Sequence, residues 1–318
     1  MAVGKIFCGE GESPQRIMLY PSVRKAGYLI LASLVLRFEK YLSRRAMNNG
    51  VSDTYSWEKE IVVVTGGAGG IGGELVKQLA AKGTRIAVLD VLPLSYSKPS
   101  NVEYFKCYLT DSDSLTAAAD RIRAKWGHPT VLCCIAGILR GKALVGVLPP
   151  EAETFGVNAI GLALCYKEFV PAMVKANHGH VVTMSSATAY STVSCMADYA
   201  ASKSAALALH EGLQTELKHI YKAPKVRCTV VCPSLVGTKM FTGLSSPSNF
   251  LMPVLTPQEV AGVISSALWS GEARHIDLPW LSKVFMTPLK GAPVFLRMLM
   301  QDGAGDSMHS FDGHKVIN

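Results

Sequence analysis

Tyr199 and Lys203 are two larger polar residues in a run of small ones, ADYAASKSAALALH (197–210). Residues four apart share one face of an α-helix. An ammonium group beside a phenol favours the phenolate, so we expect Lys203 to lower the pKa of Tyr199 from its ordinary value of about 10. A tyrosine of lowered pKa can pass a proton to or from an alcohol or carbonyl oxygen. The pair therefore predicts general acid–base chemistry.

A serine in the preceding apolar run adds a second polar group. Ser186 ends HVVTMSS (180–186), which is typical of a buried strand. Ligands of open α/β sheets bind beyond the carboxyl ends of the strands. The hydroxyl of Ser186 can therefore hydrogen-bond the same substrate oxygen as Tyr199. Ser185 would point to the opposite face of the strand.

A glycine-rich turn, TGGAGGIGGEL (65–75), joins the first apolar run to a helical pattern. Glycine permits a tight turn and a close approach of backbone to pyrophosphate, and the helix N-terminus then offers free N–H groups. Asp90 ends the second apolar run, about 20 residues downstream, where a carboxylate accepts the ribose hydroxyls of NAD and repels the 2′-phosphate of NADP. NAD(H) is thus favoured, and the nearby Lys98 leaves NADP(H) open.

The order of apolar and helical segments indicates how these groups are positioned. Seven short apolar runs alternate with helical patterns: EIVVVTGG, RIAVLD, VEYFKC, TVLCCIAG, HVVTMSS, KVRCTVVCPS and HIDLP. Helices are expected over GELVKQLAAKG, SLTAAADRIRAKWG, 151–177, 198–220 and 257–271. Continuous apolar strands joined by helical crossovers are typical of a parallel sheet covered on both faces. We therefore expect an α/β fold, a Rossmann-type doubly wound parallel sheet in a single domain.

The positive charge of the chain lies mainly in an N-terminal arm. The chain of 318 residues has a net charge of +8, and residues 1–50 hold eight basic residues against three glutamates. The central region is too weakly basic to indicate nucleic-acid binding. GYLILASLVL (27–36) is shorter than the roughly 20 residues that span a membrane. It is either an interfacial membrane segment flanked by cations or a helix packed on the domain or a partner.

Eight cysteines are scattered without a CxxC pair or a metal-ligand spacing. This pattern predicts reduced core cysteines in an intracellular protein and no metal site.

These motifs, in this order, resemble the short-chain dehydrogenase/reductase family from about residue 60 to 240. TGGAGGIG (65–72) fits the family's TGxxxGxG, and Asn158 in FGVNAIG completes a tetrad with Ser186, Tyr199 and Lys203. The resemblance implies that Lys203 also holds the nicotinamide ribose and that Asn158 supports a water in the proton relay. It implies cofactor contacts at Gly66, Gly70, Ile71, Gly72, Asp90, Ala136, Gly137, Asn158, Tyr199, Lys203, Val236 and Thr238.

Three positions depart from the family pattern. The family's NNAG is Cys134-Ile135-Ala136-Gly137 here, so the asparagine that ties the middle strands together is missing. Tyr108 replaces an aspartate that contacts adenine, and Pro233-Ser234 replaces Pro-Gly. None of these changes removes a group that moves a proton.

Within this family, the sequence is most similar to membrane- or lipid-droplet-associated hydroxysteroid and retinol dehydrogenases. That implies an NAD(P)-dependent, homo-oligomeric oxidoreductase that interconverts a secondary or allylic alcohol and its carbonyl on a lipophilic substrate, such as a steroid, retinoid, fatty alcohol or secondary metabolite. The expected location is the endoplasmic reticulum membrane or a lipid droplet, otherwise the cytoplasm. A tailoring ketoreductase of a soluble biosynthetic intermediate and a cofactor-binding scaffold without turnover remain alternatives.

The expected division of the chain is an arm (1–57), a catalytic domain (58–280) with a mobile substrate lid (240–256), and a tail (281–318).

Overall fold

A computed structural model describes residues 21–141, 151–246, 248–250, 252–304 and 311 of the chain. The chain divides into two compact units, Met1–Met47 and Asn48–Asn318. In the first unit, helix α1 (Pro21–Met47) extends well beyond the ten-residue apolar segment on both sides. Its large apolar side chains are exposed, among them Tyr28, Leu29, Ile30, Leu31, Leu34, Val35 and Leu36. Arg44 and Arg45 in its last turn lie where cations favour the helix dipole.

The second unit contains one sheet of seven parallel strands, so the predicted doubly wound sheet is confirmed. The strands are β1 (Ile61–Thr65), β2 (Arg85–Asp90), β3 (Val102–Lys106), β4 (Val131–Cys134), β5 (His180–Met184), β6 (Arg227–Pro233) and β7 (His275–Leu278). Their order is β3-β2-β1-β4-β5-β6-β7. The order reverses between β1 and β4, and the crevice beyond the carboxyl ends of these strands is the place where such sheets bind ligands.

Helices cover both faces of the sheet. The longer ones are α2 (Gly70–Ala80), α3 (Ser112–Trp126), α5 (Gly161–Ala176), α6 (Ala197–His219) and α7 (Pro257–Ser270); shorter ones are α4 (Glu151–Phe155), α8 (Trp280–Phe285) and α9 (Val294–Gly303). Side chains of α2 and α7 pack on one face, and those of α3, α5 and α6 pack on the other. The central strands β1, β4, β5 and β6 are buried along their whole length, because helices shield both of their faces from water.

Among the described residues, one helical stretch, Glu153–Ala176, is long and apolar enough to cross a membrane by length and composition. Half of its apolar window is buried inside the fold. Core helices of soluble proteins have the same properties, so this stretch is weak evidence for a span.

Residues 48–57 belong to the main unit, although the sequence pattern placed them in the arm. The reason is Arg227, which is 1 % exposed at the start of β6. Its guanidinium donates hydrogen bonds to the carbonyls of Asn48 and Val51, and also to those of Pro224 and Gly271. A buried cation requires such acceptors, so the segment is fixed to the domain.

Thr65 supplies the link that the missing asparagine would make. It is buried at the end of β1, and its hydroxyl oxygen accepts hydrogen bonds from the N–H groups of Ile135 (3.2 Å) and Ala136 (3.3 Å). The turn after β4 is therefore tied to β1 through a threonine. This link keeps Ala136 beside the glycine-rich turn.

We expect Thr65→Val to lower the free energy of unfolding by about 1–3 kcal/mol, because two N–H groups would lose their acceptor. Urea unfolding measures this change. Thr84→Val is the matched control, since the hydroxyl of Thr84 is buried without a hydrogen-bond partner in the described structure. That substitution should be neutral or stabilising. Equal losses in both variants would show that the hydroxyl of Thr65 makes no specific contribution.

Candidate active site

The glycine-rich turn forms an open cradle between β1 and α2. Gly66 has a φ of +69°, and a Cβ added to it would lie 2.7 Å from the Cα of Ala136. A Cβ on Gly72 would lie 2.1 Å from the carbonyl oxygen of Gly66. Only glycine fits these two positions without a shift of the backbone. At the start of α2, the N–H of Gly73 donates a hydrogen bond to the carbonyl of Gly69. Three N–H groups come before this bond and lie at the positive end of the helix dipole, those of Gly70, Ile71 and Gly72.

Asp90 holds this turn against the end of β2. One oxygen of its carboxylate accepts a hydrogen bond from the N–H of Ala68 (2.9 Å), and the other accepts one from Leu92 (3.0 Å). The predicted ribose-binding carboxylate is therefore beside the cradle. Its backbone partners fix it there.

Lys98 lies toward the opposite end of the strands. Its ammonium donates to the carbonyl of Val102 (2.9 Å), at the start of β3. In the register of β2 and β3, Asp90 pairs with Lys106, four residues beyond Val102. At about 3.3 Å per residue, that places the bonded carbonyl about 13 Å along the strand from the level of Asp90.

The two predicted hydroxyl groups meet in one cavity. Ser186 follows β5 and lines the cavity together with Tyr199 from the first turn of α6. The hydroxyl of Ser186 accepts from the N–H of Thr188 (3.2 Å), which fixes the 3₁₀ turn Ala187–Ala189. Ser185 instead donates to the carbonyl of Lys203 (2.8 Å). The strand thus presents Ser186, and not Ser185, to the cavity.

Lys203 is buried behind Tyr199. Its ammonium donates to the carbonyl of Met184 (2.9 Å) and lies 5.7 Å from the centre of the Tyr199 ring. Burial lowers the pKa of Lys203 to about 8. Burial also raises the pKa of Tyr199 to about 12, and a hydrogen bond with Ser186 offsets only part of that rise. The predicted lowering of the tyrosine pKa by Lys203 is wrong for this structure, because desolvation of the phenolate outweighs the distant ammonium.

Asn158 lies in a π-helical turn, Gly156–Ile160, that interrupts the helix predicted over 151–177. Such turns are frequent at functional sites. The Asn158 amide accepts from the N–H of Ile138 (2.8 Å) and donates to its carbonyl (3.0 Å) and to Ser202 (3.0 Å). A Cβ on Gly137 would lie 3.2 Å from both the Asn158 oxygen and the Lys203 ammonium. Three predicted residues therefore converge beside the turn after β4.

The loop after β6 reaches the same place. Val236 is buried and pairs with Leu255 in an isolated bridge. The methyl group of Thr238 would lie 3.6 Å from a Cβ on Gly70. The predicted cofactor-binding positions thus come from separate loops and meet around one crevice.

The cavity has a volume of about 420 Å³ and largely apolar walls. Lid residues Phe241, Leu244 and Met252 line it, and the ring of Phe241 lies edge-on to Tyr199 at 6.3 Å. Whether the lid moves remains a prediction. The sequence analysis missed the contribution of the tail, from which Leu281, Phe285, Met286 and Met300 also line the cavity. The apolar run APVFLRMLM (292–300) contains only the last of these residues, Met300, and its pattern alone predicts no cavity wall.

We expect Lys203→Met to raise the free energy of unfolding at pH 7 by about 1–3 kcal/mol, because the substitution removes the cost of burying a charge. Burial lowers the pKa of Lys203 to about 8, and one pKa unit corresponds to about 1.4 kcal/mol. Below pH 8 Lys203 is protonated in both the folded and the unfolded wild type, so the folded wild type bears the full free-energy penalty of burying the charge. Between pH 8 and 10.5 the folded wild type releases its proton while the unfolded chain keeps it, so wild-type stability rises and the gap shrinks.

Urea unfolding at pH 7 and pH 9.5 measures the gap. Lys167→Met, at an exposed position of α5, is the matched control and should show little change. A gap for Lys203→Met that is the same at both pH values would contradict the burial of a charged lysine.

The chain is similar in sequence to known dehydrogenases. The family model of the short chain dehydrogenases matches residues 60–249. Dehydrogenase RED2 of Cochliobolus heterostrophus is 38% identical over 214 residues, covering 66% of this chain and 81% of that protein. Estradiol 17-beta-dehydrogenase 11 of Pongo abelii is 30% identical over 240 residues (73% and 78%). Epidermal retinol dehydrogenase 2 of Homo sapiens is 29% identical over 265 residues (80% and 84%).

Among solved structures, the ligand-free aldohexose dehydrogenase of Thermoplasma acidophilum shares the fold. The TM-score is 0.59 at 23% identity, and the match covers 69% of this chain and 92% of that one. The chain belongs to the short-chain dehydrogenase family and is an oxidoreductase that acts on CH–OH groups.

Proposed function

We propose that this enzyme interconverts a secondary or allylic alcohol and its carbonyl on a lipophilic substrate. The observation that carries the proposal is the apolar cavity, at whose wall Ser186 and Tyr199 present the hydroxyl groups. Relatives named for estradiol and retinol support the same substrate class. Apolar walls favour such a substrate over a soluble biosynthetic intermediate, because they cannot replace its hydrogen bonds with water.

Each polar residue has a separate role in this proposal. Tyr199 donates the proton during reduction, and its raised pKa keeps it protonated at neutral pH. Ser186 holds the substrate oxygen beside it. Lys203 places its ammonium 5.7 Å from the centre of the tyrosine ring, and Asn158 fixes the turn after β4 and supports the proton relay. The serine and tyrosine thus act on the oxygen of the substrate.

A nicotinamide cofactor, when bound, supplies or accepts the hydride. The glycine cradle fits a dinucleotide, since Gly66 and Gly72 permit its tight backbone packing and the N–H groups at the start of α2 can bind a pyrophosphate. The residues that would hold the cofactor are Gly66, Gly70, Ile71, Gly72, Asp90, Ala136, Gly137, Asn158, Tyr199, Lys203, Val236 and Thr238.

Tyr199→Phe tests the proposed reaction. We expect kcat to fall at least about 100-fold because the proton donor is lost. Formation of NADH from NAD is measured with all-trans-retinol, estradiol and 2-decanol as alcohols. NADH binding, followed by nicotinamide fluorescence, should change little.

Tyr221→Phe, at an exposed position, is the matched control and should keep full activity. Wild-type enzyme that oxidises none of the three alcohols would count against the lipophilic substrate class. A Tyr199→Phe enzyme that remains fully active would exclude Tyr199 as the donor.

We infer a preference for NAD(H) over NADP(H). The carboxylate of Asp90 lies at the cradle, and the ammonium of Lys98 bonds far along β3 from it. A negative charge at this position repels a 2′-phosphate. Titration with NADH and NADPH should therefore show tighter NADH binding, by about tenfold or more.

Asp90→Asn removes the charge and should reduce that ratio, whereas Asp120→Asn, an exposed carboxylate on α3, should leave it unchanged. Tighter NADPH binding by the wild type would overturn the preference.

We also infer that α1 binds a membrane or lipid-droplet surface, since its exposed apolar side chains are flanked by Arg24, Lys25 and Arg37. In vesicle flotation with phosphatidylserine, Leu31→Glu combined with Leu34→Glu should prevent the co-flotation that the wild type shows. Unchanged flotation would exclude α1 as the anchor.

Light scattering tests the homo-oligomer that the family resemblance implies.

A further inference from the structure

A second polar cluster lies on the sheet beside the cavity. Cys232 lies next to the end of β6, and His275 and Asp277 belong to β7. In the strand register, Val230 pairs with His275 and Cys232 pairs with Asp277. Alternate residues of a strand share a face, so the three side chains point to the same side of the sheet. The proposed reaction uses none of them.

The donor atoms of this cluster suit a metal ion. A cysteine sulfur, an imidazole nitrogen and a carboxylate oxygen lie within 4.8 Å of one another, and His275 Nε2 is 3.7 Å from Asp277 Oδ1. Across the described ranges of the chain, no other group of three such residues meets this distance. Zn²⁺ binds S, N and O atoms at about 2.0–2.3 Å in a tetrahedron, which places ligand atoms roughly 3.3–3.8 Å apart. A contraction of at most about 1.5 Å therefore completes the arrangement.

Burial of the cluster favours a thiophilic ion and still leaves a path to it. Cys232 is fully buried, and the side chain of Asp277 is 3 % exposed. The side chain of His275 is 36 % exposed, so an ion can enter past the imidazole. Mixed S, N and O donors select Zn²⁺ over Mg²⁺ or Ca²⁺, which require oxygen ligands.

Tyr190 connects this cluster to the active site. Its hydroxyl lies 2.7 Å from His275 Nε2, 3.2 Å from Asp277 Oδ1 and 3.4 Å from Cys232 Sγ. The hydroxyl thus occupies the position between the three donors that an ion would take. Tyr190 also ends the 3₁₀ turn that Ser186 begins. Displacement of its hydroxyl would release the far end of that turn.

We propose that Cys232, His275 and Asp277 form an inhibitory Zn²⁺ site, at which the ion displaces the Tyr190 hydroxyl and disturbs the position of Ser186. The thiol proton of Cys232 and the proton on His275 Nε2 pass to solvent as the sulfur–zinc and nitrogen–zinc bonds form, and water takes the fourth position of the ion. Ion binding is measured without a substrate, whereas the inhibition rests on the proposed function.

Binding is tested on the full chain after removal of metal with EDTA. Equilibrium dialysis against Zn²⁺ should show one ion per chain, and Cys232→Ser should weaken its binding more than about tenfold. Co²⁺ in the same site should give the charge-transfer absorption of a cobalt–thiolate bond. Cys228→Ser is the matched control, since Cys228 is a buried thiol on the same strand and face. It should keep both signals.

Two further variants keep the test decisive if Cys232→Ser does not fold. His275→Gln, at the most exposed ligand, should weaken Zn²⁺ binding similarly. Tyr190→Phe should bind Zn²⁺ at least as tightly as the wild type, because no hydroxyl has to be displaced. Weaker binding by Tyr190→Phe would overturn the displacement.

Inhibition is measured with whichever of the three alcohols turns over. Saturating Zn²⁺ should lower kcat of the wild type about tenfold or more, since misplacement of a catalytic group by about 1 Å has effects of this size. The same Zn²⁺ should have little effect on His275→Gln. Absence of stoichiometric Zn²⁺, or equal binding by Cys232→Ser and Cys228→Ser, would overturn the site. Binding without inhibition would overturn its coupling to Ser186.

Discussion

The close approach of two backbones, Gly66 against Ala136, is the constraint on which the site depends. The turns after β1 and β4 meet where the strand order reverses, with no room for a side chain between them. This contact sets the width of the crevice and aligns the start of α2 with the turn that Asn158 holds. Asp90 and Thr65 act on the same two turns from either side. The site is therefore positioned mainly by backbone geometry, and the side chains maintain it.

Burial gives the proton-transferring groups their properties. Tyr199 and Lys203 are both enclosed, and water is replaced by protein carbonyls and apolar rings. Desolvation favours the neutral form of each group, so the phenol holds its proton more tightly and the ammonium holds its proton less tightly. The fold thus keeps a neutral proton donor, Tyr199, beside a lysine whose pKa is lowered by burial. This arrangement decreases stability at neutral pH, which is common where function requires a buried charge.

Local features of the sequence were sufficient for much of this structure. The apolar runs predicted all seven strands, because strands that are covered on both faces are rich in apolar residues. The spacing of Ser186, Tyr199 and Lys203 was informative because a strand end and one helix turn fix their directions. Features that depend on distant contacts could not be read in this way. They include the direction of the Tyr199 pKa shift, the tail residues of the cavity wall, the π-helical turn at Asn158, and the approach of Cys232 to His275.

Arg227 determines where the catalytic unit begins. The family match starts at residue 60, but two of the carbonyls that accept hydrogen bonds from the Arg227 guanidinium belong to Asn48 and Val51. A fragment that began at residue 60 would lose these two acceptors and open the guanidinium to water, so the packing around this cation would be disrupted. We therefore expect a stable catalytic fragment to begin near Asn48. Family homology alone would place its start about a dozen residues too late.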